Sequence, residues 1–530
     1  MKNVTLTLLD TSGIQNYIFN SNRLQENIGA SELVYRATTL WAFAALSDAG
    51  FKHNVEVQGN IWKINDGDIE KENSTLRAEV IYAGGGNILI LFQNLDDAKN
   101  FTKRITTQVL KEAPGLTLVA SHLEFEFASV QLAIARSSLL RQLAQHKQSR
   151  LPSLPLLGLG VSAVCQSTGL PATRTNVGLK LNEDEEDTRL ISREIEWKLK
   201  YRNPGNDRLK DALGRAAGSY YFPSDVDKLG RIKGEESYVA IVHADGNRMG
   251  EHLNEAIKNA TDNRDCIRKL RAFSTKINDA SLKALLHVVK LAKQAADDEL
   301  VPIVEKYLPM RPLVFGGDDV TFLCNGRLGI SLATAYLESF ERETKILGLD
   351  RFHASVGVSI VKMHYPFARA YALSEQLLSS AKRFVREFED CSAIDWHFAT
   401  SGLSGSLSVI REREYQDGNL LMRPLLLNKN DKVKGRFWKG GIEEVIRQFR
   451  EEHPWKDSHN KVIGLRDVLR DTTGEQVRAY LRDYELSRLP ELVNEEAQTT
   501  GWTNNRCVYF DAIELLDHHI AIAEKQEVPA

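Results

Sequence analysis

Two neighbouring carboxylates, Asp318 and Asp319, follow two glycines in the stretch RPLVFGGDDVTFLCN between Arg311 and Asn325. The flanking apolar runs read as the strands of a hairpin. Gly316 and Gly317 supply its turn, because glycine reaches positive φ without steric cost. Nothing in a hairpin requires two adjacent acids, whose like charges repel. A third acid, Asp245, ends the apolar run SYVAIVHAD. With that strand beside the hairpin, three carboxylates converge at one sheet edge and raise one another's pKa. A divalent cation removes that repulsion. Hard oxygen ligands suit Mg2+ or Mn2+, which bind through a few carboxylates, water and substrate phosphates. Such a centre activates a hydroxyl for in-line displacement at phosphorus, which is the chemistry of nucleotidyl transfer. Asp245, Asp318 and Asp319 are therefore the expected metal-binding and catalytic residues.

Other residues fit the same chemistry. DGNRMGEHL turns through Gly246 and enters a helix, so N–H groups from Asn247 to Gly250 are placed to face a triphosphate. Lys382, in LLSSAKRF, reaches a phosphate as a point charge, with Arg383 or Arg386 as accessories. On spacing alone Lys382 is a solvated helix lysine. His243 reads as a packed strand histidine, and His518 and His519 read as residues of a helix surface. The acidic run EDEED from Glu183 to Asp187 reads as a solvated face.

The elements that must position these residues repeat one plan. The first segment runs strand (NVTLTLLD, ending at Asp10), helices, hairpin (AEVIYAGGGNILILF), helix and strand (LTLVASH). The second runs strand (SYVAIVHAD), helices to about Lys306, hairpin (RPLVFGGDDVTFLC), helix, strand (HASVGVSIV) and a closing helix. That order builds an antiparallel sheet with helices on one face, the ferredoxin-like arrangement, and its recurrence argues for a tandem duplication. The expected class is α+β, with units over 1–145 and 237–400, a linking subdomain over 146–236 and a C-terminal helical domain over 401–530.

Bulk properties bound the function further. The 530-residue chain carries a formal net charge of −3, so any nucleic-acid contact needs a local basic patch. No apolar run approaches the ~18 residues that span a bilayer, and MKNVTLTLLDTSG lacks the layout of a signal peptide. The five cysteines are scattered without a Cys-x-x-Cys pair, which excludes a disulfide framework or a zinc ribbon. A reduced, cytoplasmic protein with no membrane contact is expected.

Several strings carry a family resemblance. HADGNRMG, FGGDDVTF and VGVSIVKMHYPFARAYALSEQLLSSAK resemble the second Palm domain of the large subunit of type III CRISPR effector complexes. LLDTSGIQNYIF and ENIGASELV resemble its first Palm segment, and LLMRPLLL from Leu420 to Leu427 resembles the lead into its C-terminal helical domain. The resemblance implies two facing, cyclase- or polymerase-type Palms that each bind one ATP and make cyclic oligoadenylates. It implies Mg2+ or Mn2+ on Asp245, Asp318 and Asp319, with Gly316 and Gly317 admitting the nucleotide. It places Ser355 and Lys382 against the nucleotide, beside Gly246, Asn247 and Gly250. The first segment has GGGN where the second has GGDD, and keeps Asp10; it is expected to bind the acceptor nucleotide without a metal pair. Other effector subunits, with guide and target RNA, are the implied partners.

Three departures from the family pattern bear on these expectations. No His is followed by Asp, so the HD nuclease of many members, and DNA cutting with it, is not expected. CQSTGLPA at Cys165 has Thr168 where a second zinc-ligating cysteine would sit, so zinc is not expected. Asn247 stands where members often carry a further acid. Two alternatives remain open: a stand-alone Palm cyclase making a cyclic mono- or dinucleotide, and a non-catalytic scaffold. The scaffold would dock RNA or a subunit through NKNDKVKGRFWKGG and EEVIRQFRE, which interleave cations with Phe437 and Trp438. The intact acids favour an enzyme.

Overall fold

A computed structural model describes residues 3–150, 160–179, 188–230, 237–349, 352–388, 390–399, 405–416, 418–456 and 458–522. The acidic run at 183–187 lies outside them. The first unit comprises β1 (Asn3–Ser12), α1 (Ile14–Phe19), α2 (Leu24–Thr38), α3 (Leu40–Asp48), β2 (Val55–Gln58), β3 (Ile61–Ile64), β4 (Ala78–Gly84), β5 (Asn87–Phe92), α4 (Leu95–Glu112), β6 (Thr117–Glu126) and α5 (Leu132–Ser149). Its sheet order is β4-β5-β1-β6, with β1 antiparallel to both neighbours. That is the ferredoxin-like order expected from the strand and helix plan.

Burial explains why these runs become these elements. Val4, Leu6 and Leu8 of β1 pack with Leu132, Ala135 and Leu139 of α5 on one face. Leu9, Ile88, Ile90 and Phe92 pack against helices α1–α4 on the other. A sheet covered on both faces, not on the one face expected, reads as continuous apolar runs rather than alternation. Helix α4 buries Ala98, Phe101, Ile105 and Val109 along one stripe, and Asn94 caps it by accepting the Asp97 N–H. Helix α5 runs past the expected boundary at 145, so the lysine and histidine of its last turn belong to the first unit.

Short strands β7 (Arg174–Thr175) and β8 (Leu190–Ile191), then α6 (Arg193–Lys200) and α7 (Arg202–Ala217), link the units. The second unit comprises β9 (Tyr238–Gly246), α8 (Met249–Lys258), α9 (Asn263–Asp297), β10 (Met310–Val314), β11 (Val320–Asn325), α10 (Gly329–Ile346), β12 (Ala354–Lys362), α11 (Phe367–Val385) and β13 (Ala393–Ala399). Its first four strands repeat the same order, and β13 then adds parallel to β12. After α12 (Leu407–Glu414), β14 (Leu425–Leu426) pairs antiparallel with β13. The C-terminal region is otherwise mainly helical, with a two-stranded ladder between 502–503 and 506–507, and its Val445, Leu465, Val477 and Ile513 share one core with Val242, Phe322 and Val358 of the second sheet. Buried Arg423 ties that region together through ion pairs to Asp511 and Glu514.

The two units meet through several side chains. Arg264 and Arg271 of α9 reach fully buried Glu79 of β4. Ser31 of α2 donates to the Leu313 carbonyl of β10. The hairpin tips abut: a Cβ on Gly317 would stand 3.7 Å from Gly85 Cα. No described helix is long and apolar enough to cross a membrane.

Candidate active site

Register places the three acids. Ala244 of β9 lies across from Val320 of β11, so Asp245 and Asp319 are neighbours where these strands end. Gly316 and Gly317 hold φ of 131° and 95°, the left-handed side that a β-carbon disfavours. The Gly317 N–H donates to Asn278 Oδ1 at 3.1 Å, fixing the turn to α9. Gly246 is required for a different reason: its added Cβ would overlap the Met249 side chain and stand 3.1 Å from Asp318 Oδ2. The absence of a side chain there lets Asp318 settle against the end of β9.

The electrostatics follow from that crowding. Burial, then the charge of Asp245, with Asp319 adding to it, pushes the Asp318 carboxyl up to about 7. The Lys382 ammonium of α11 ion-pairs with Asp245 and donates to the Gly246 carbonyl at 3.0 Å. Asp319 Oδ1 accepts from His243 Nε2 at 3.2 Å, and its Oδ2 accepts from Gln15 Nε2 at 3.3 Å. Asp245 and Asp319 keep 33% of their side-chain surface exposed, so the edge is open to a ligand. In this arrangement no cluster of three or more His, Cys, Asp or Glu among the described residues is spaced as a metal set. The donors nevertheless fit a hard divalent cation: three carboxylates crowded at one edge are the charge such an ion neutralises.

The remaining expected residues divide into two groups. Gly250 is exposed in the first turn of α8, with open space where a Cβ would stand. Arg248 precedes that turn with a φ of 54°. Asn247 and Ser355 are buried instead. The Ser355 hydroxyl donates to Asn247 Oδ1 at 2.9 Å, Asn247 Nδ2 donates to the Cys391 carbonyl at 3.0 Å, and the Asn247 N–H donates to the His353 carbonyl at 2.8 Å. These two residues brace the end of β9 against β12 and β13 from behind.

Four readings from spacing change with the structure. Lys382 is not merely a solvated helix lysine, since it bridges to Asp245. His243 is packed, yet its ring also bonds Asp319. Strand alternation offers a signal for this, because His243 and Asp245 share one face of β9. His518 and His519 are not on a helix surface. His518 packs against Tyr238 and Phe398, while His519 is buried, bonded to the Ser331 hydroxyl, and pushed down to about 3 by burial. Gln15 was not foreseen, and nothing in its local sequence points to Asp319.

The first unit carries the same skeleton with different chemistry. Asp10 lies across from Asn87, so Asn87 holds the place of Asp319 and Gly86 that of Asp318. Lys147 of α5 ion-pairs with Asp10 as Lys382 of α11 pairs with Asp245. Burial, opposed by Lys147, raises the Asp10 carboxyl.

Comparison with known proteins bears on this architecture. Residues 238–387 match the family model of Cas10/Cmr2, second palm domain. No curated protein matches the chain. Among solved structures, the apo Csm1-Csm4 cassette is 15% identical with a TM-score of 0.55, over 97% of this chain and 70% of that one. The Csm1-Csm4 cassette in complex with cA4 is 17% identical with a TM-score of 0.53, over 97% and 69%. Csm1 of T. onnurineus is 15% identical with a TM-score of 0.53, over 97% and 69%. At these identities the likeness is one of fold, and it spans both units and the C-terminal region. Residues 238–387 thus resemble the second palm domain of Cas10/Cmr2, within a chain whose fold is similar to that of Csm1.

Proposed function

We propose that this protein is a metal-dependent nucleotidyltransferase that joins ATP into cyclic oligoadenylates, acting in the cytoplasm as the large subunit of a type III CRISPR effector with guide and target RNA. The observation that carries this reading is the crowding of Asp245, Asp318 and Asp319 at an open sheet edge, where burial and then the charge of Asp245 raise the Asp318 carboxyl. The cassettes of similar fold have been solved with AMPPNP, with one ATP, with pppApA and pppApApA, and with cA3 and cA4. That series supports the same substrate and product class here.

The chain's own residues perform defined tasks in this reaction. Asp245, Asp318 and Asp319 would hold Mg2+ or Mn2+, whose chemistry is activation of the attacking hydroxyl and neutralisation of charge at the α-phosphate. Gly316 and Gly317 leave room for the donor ATP against the hairpin backbone. The first turn of α8, from Met249 to Gly250, offers N–H groups to its phosphates, and Lys382 is within reach of the same phosphates once it leaves Asp245. Asn247 and Ser355 keep the strand end in place. The first Palm seats the acceptor ATP with its 3′-hydroxyl toward the donor; its hairpin carries Gly86 and Asn87 in place of the two acids, so this half assembles no metal pair. The 3′-oxygen forms a bond to the α-phosphorus, the α–β phosphoanhydride breaks, pyrophosphate leaves and the hydroxyl proton passes to water.

The test is incubation of the purified protein with labelled ATP and Mg2+ or Mn2+, with and without a cognate RNA-bound complex, followed by mass spectrometry. Cyclic adenylates that vanish in D318A/D319A are expected. Product that persists in that variant would overturn the assignment.

A further inference from the structure

One short segment of the first Palm reaches into the acidic edge of the second. Gln15 and Phe19 lie four positions apart on α1 and so share a face. Gln15 Nε2 donates to Asp319 Oδ2 at 3.3 Å. Phe19 stacks on Tyr371 of α11, with ring centroids 3.8 Å apart and planes at 19°. The Tyr371 hydroxyl lies 3.3 Å from His243 Nδ1, and His243 Nε2 lies 3.2 Å from Asp319 Oδ1. Just beyond α1, Asn22 Oδ1 accepts the Phe367 N–H at 2.8 Å, capping the start of α11, the helix that carries both Tyr371 and Lys382.

The direction of each bond is determined by chemistry. A carboxylate only accepts, so His243 carries its proton on Nε2 and Nδ1 is left to accept from the Tyr371 hydroxyl. Burial, and after it the charge of Asp319, pushes the Tyr371 phenol far above its ordinary value, which keeps that donor protonated. Gln15 must likewise present its N–H side; its Oε1 is buried without a partner. Both oxygens of Asp319 are thus oriented from outside, and each retains a lone pair for a cation.

We infer that Gln15, with Tyr371 acting through His243, positions Asp319, so that the first Palm sets the geometry of the second Palm's acidic edge. Gln15, Phe19 and Asn22 form a brace that makes cation binding depend on the docking of the two Palms. This rests on the reading of Asp318 and Asp319 as cation ligands. Groups that orient a ligating carboxylate typically contribute about 10- to 100-fold to metal affinity or activity.

The experiment is Mn2+ titration of the full chain, followed by electron paramagnetic resonance in the presence of AMPPNP, alongside steady-state turnover of ATP. Gln15→Ala should weaken Mn2+ binding about tenfold and lower kcat more than it raises KM. Gln15→Glu keeps the side-chain shape but exchanges the donor for a carboxylate whose charge Mn2+ neutralises, so it should bind Mn2+ more tightly than Gln15→Ala; a role in packing alone predicts no such order. Tyr371→Phe keeps the stack on Phe19, removes only the hydroxyl, and should weaken Mn2+ binding with an unchanged unfolding midpoint. Unaltered Mn2+ affinity in all three variants, with binding still lost in D318A/D319A, would overturn the brace alone. Mn2+ binding that survives D318A/D319A would overturn the reading of the edge and the brace with it.

Discussion

The Lys382 ammonium lies on the Asp245 carboxylate, bridging the last helix of the second Palm to the end of its first strand. The contact gives Asp245 a cation of the protein's own, one that the proposed divalent ion and triphosphate would displace. Lys147 on Asp10 repeats the arrangement in a Palm whose hairpin lacks acids.

Lys382→Met is therefore expected to act in two directions. Without nucleotide, Mn2+ binds more tightly, because Asp245 has lost its competitor. With ATP, a charge-assisted hydrogen bond to phosphate is missing, which is worth about 1.5–3 kcal/mol and raises KM roughly 10- to 100-fold. Mn2+ titration and initial-rate measurements separate the two effects.

The first Palm should resist the introduction of hairpin acids. Gly86 has a φ of 80°, and its Cβ would stand 2.5 Å from both Ile14 Cδ1 and Thr11 Oγ1. Gly86→Asp is expected to destabilise the protein by about 1–3 kcal/mol, through backbone strain and overpacking. Asn87→Asp is milder, since it only sets a like charge across from Asp10, costing about 0.2–1 kcal/mol. Denaturant midpoints of the two variants check both the direction and the order.

Acid–base linkage at Asp318 gives a pH signature. Its folded-state pKa, about 7, lies above the ordinary carboxyl value of 3.8. The native state therefore holds a proton that the unfolded chain has released. The stability linked to this group is full below about pH 4 and is lost as pH rises through about 7. Asp318→Asn should flatten that decline and stabilise the metal-free protein at pH 8 by about 1–3 kcal/mol. Mn2+ should do the same for the unaltered chain. Urea unfolding from pH 4.5 to 8 is the measurement.

Arg423 is fully buried between Asp511, at 3.1 Å, and Glu514, at 2.5 Å. Arg423→Met leaves two buried acids without their cation, although Asp511 still accepts the Met422 and Arg423 N–H groups. Breaking one side of such a pair costs about 3–5 kcal/mol. Because these contacts join the C-terminal helices to the strand beside β13, the loss should appear first as protease cleavage within the C-terminal region.

Much of this molecule is legible in one dimension. Apolar runs of strand length, glycines at the two hairpin tips and an aspartate closing each first strand specify the doubled plan, and the observed sheet orders follow it. The carboxylates of the candidate site were legible for the same reason: their placement depends on strand register beside a tight turn, which short sequence patterns encode. β13 and β14 were not, since their pairing depends on where the chain returns after α11 and α12.

By itself the sequence determined the two Palms, the three acids of one, and the absence of hairpin acids in the other. Only the tertiary structure decided what touches those acids. Gln15 and Asp319 are 304 positions apart, and their contact exists because the two units dock hairpin to hairpin. His519 was misread for a related reason: its burial against Ser331 is set by a core shared between regions, not by the local helical pattern. Periodicity is a local property of the chain, whereas a hydrogen bond between units depends on how their finished surfaces fit.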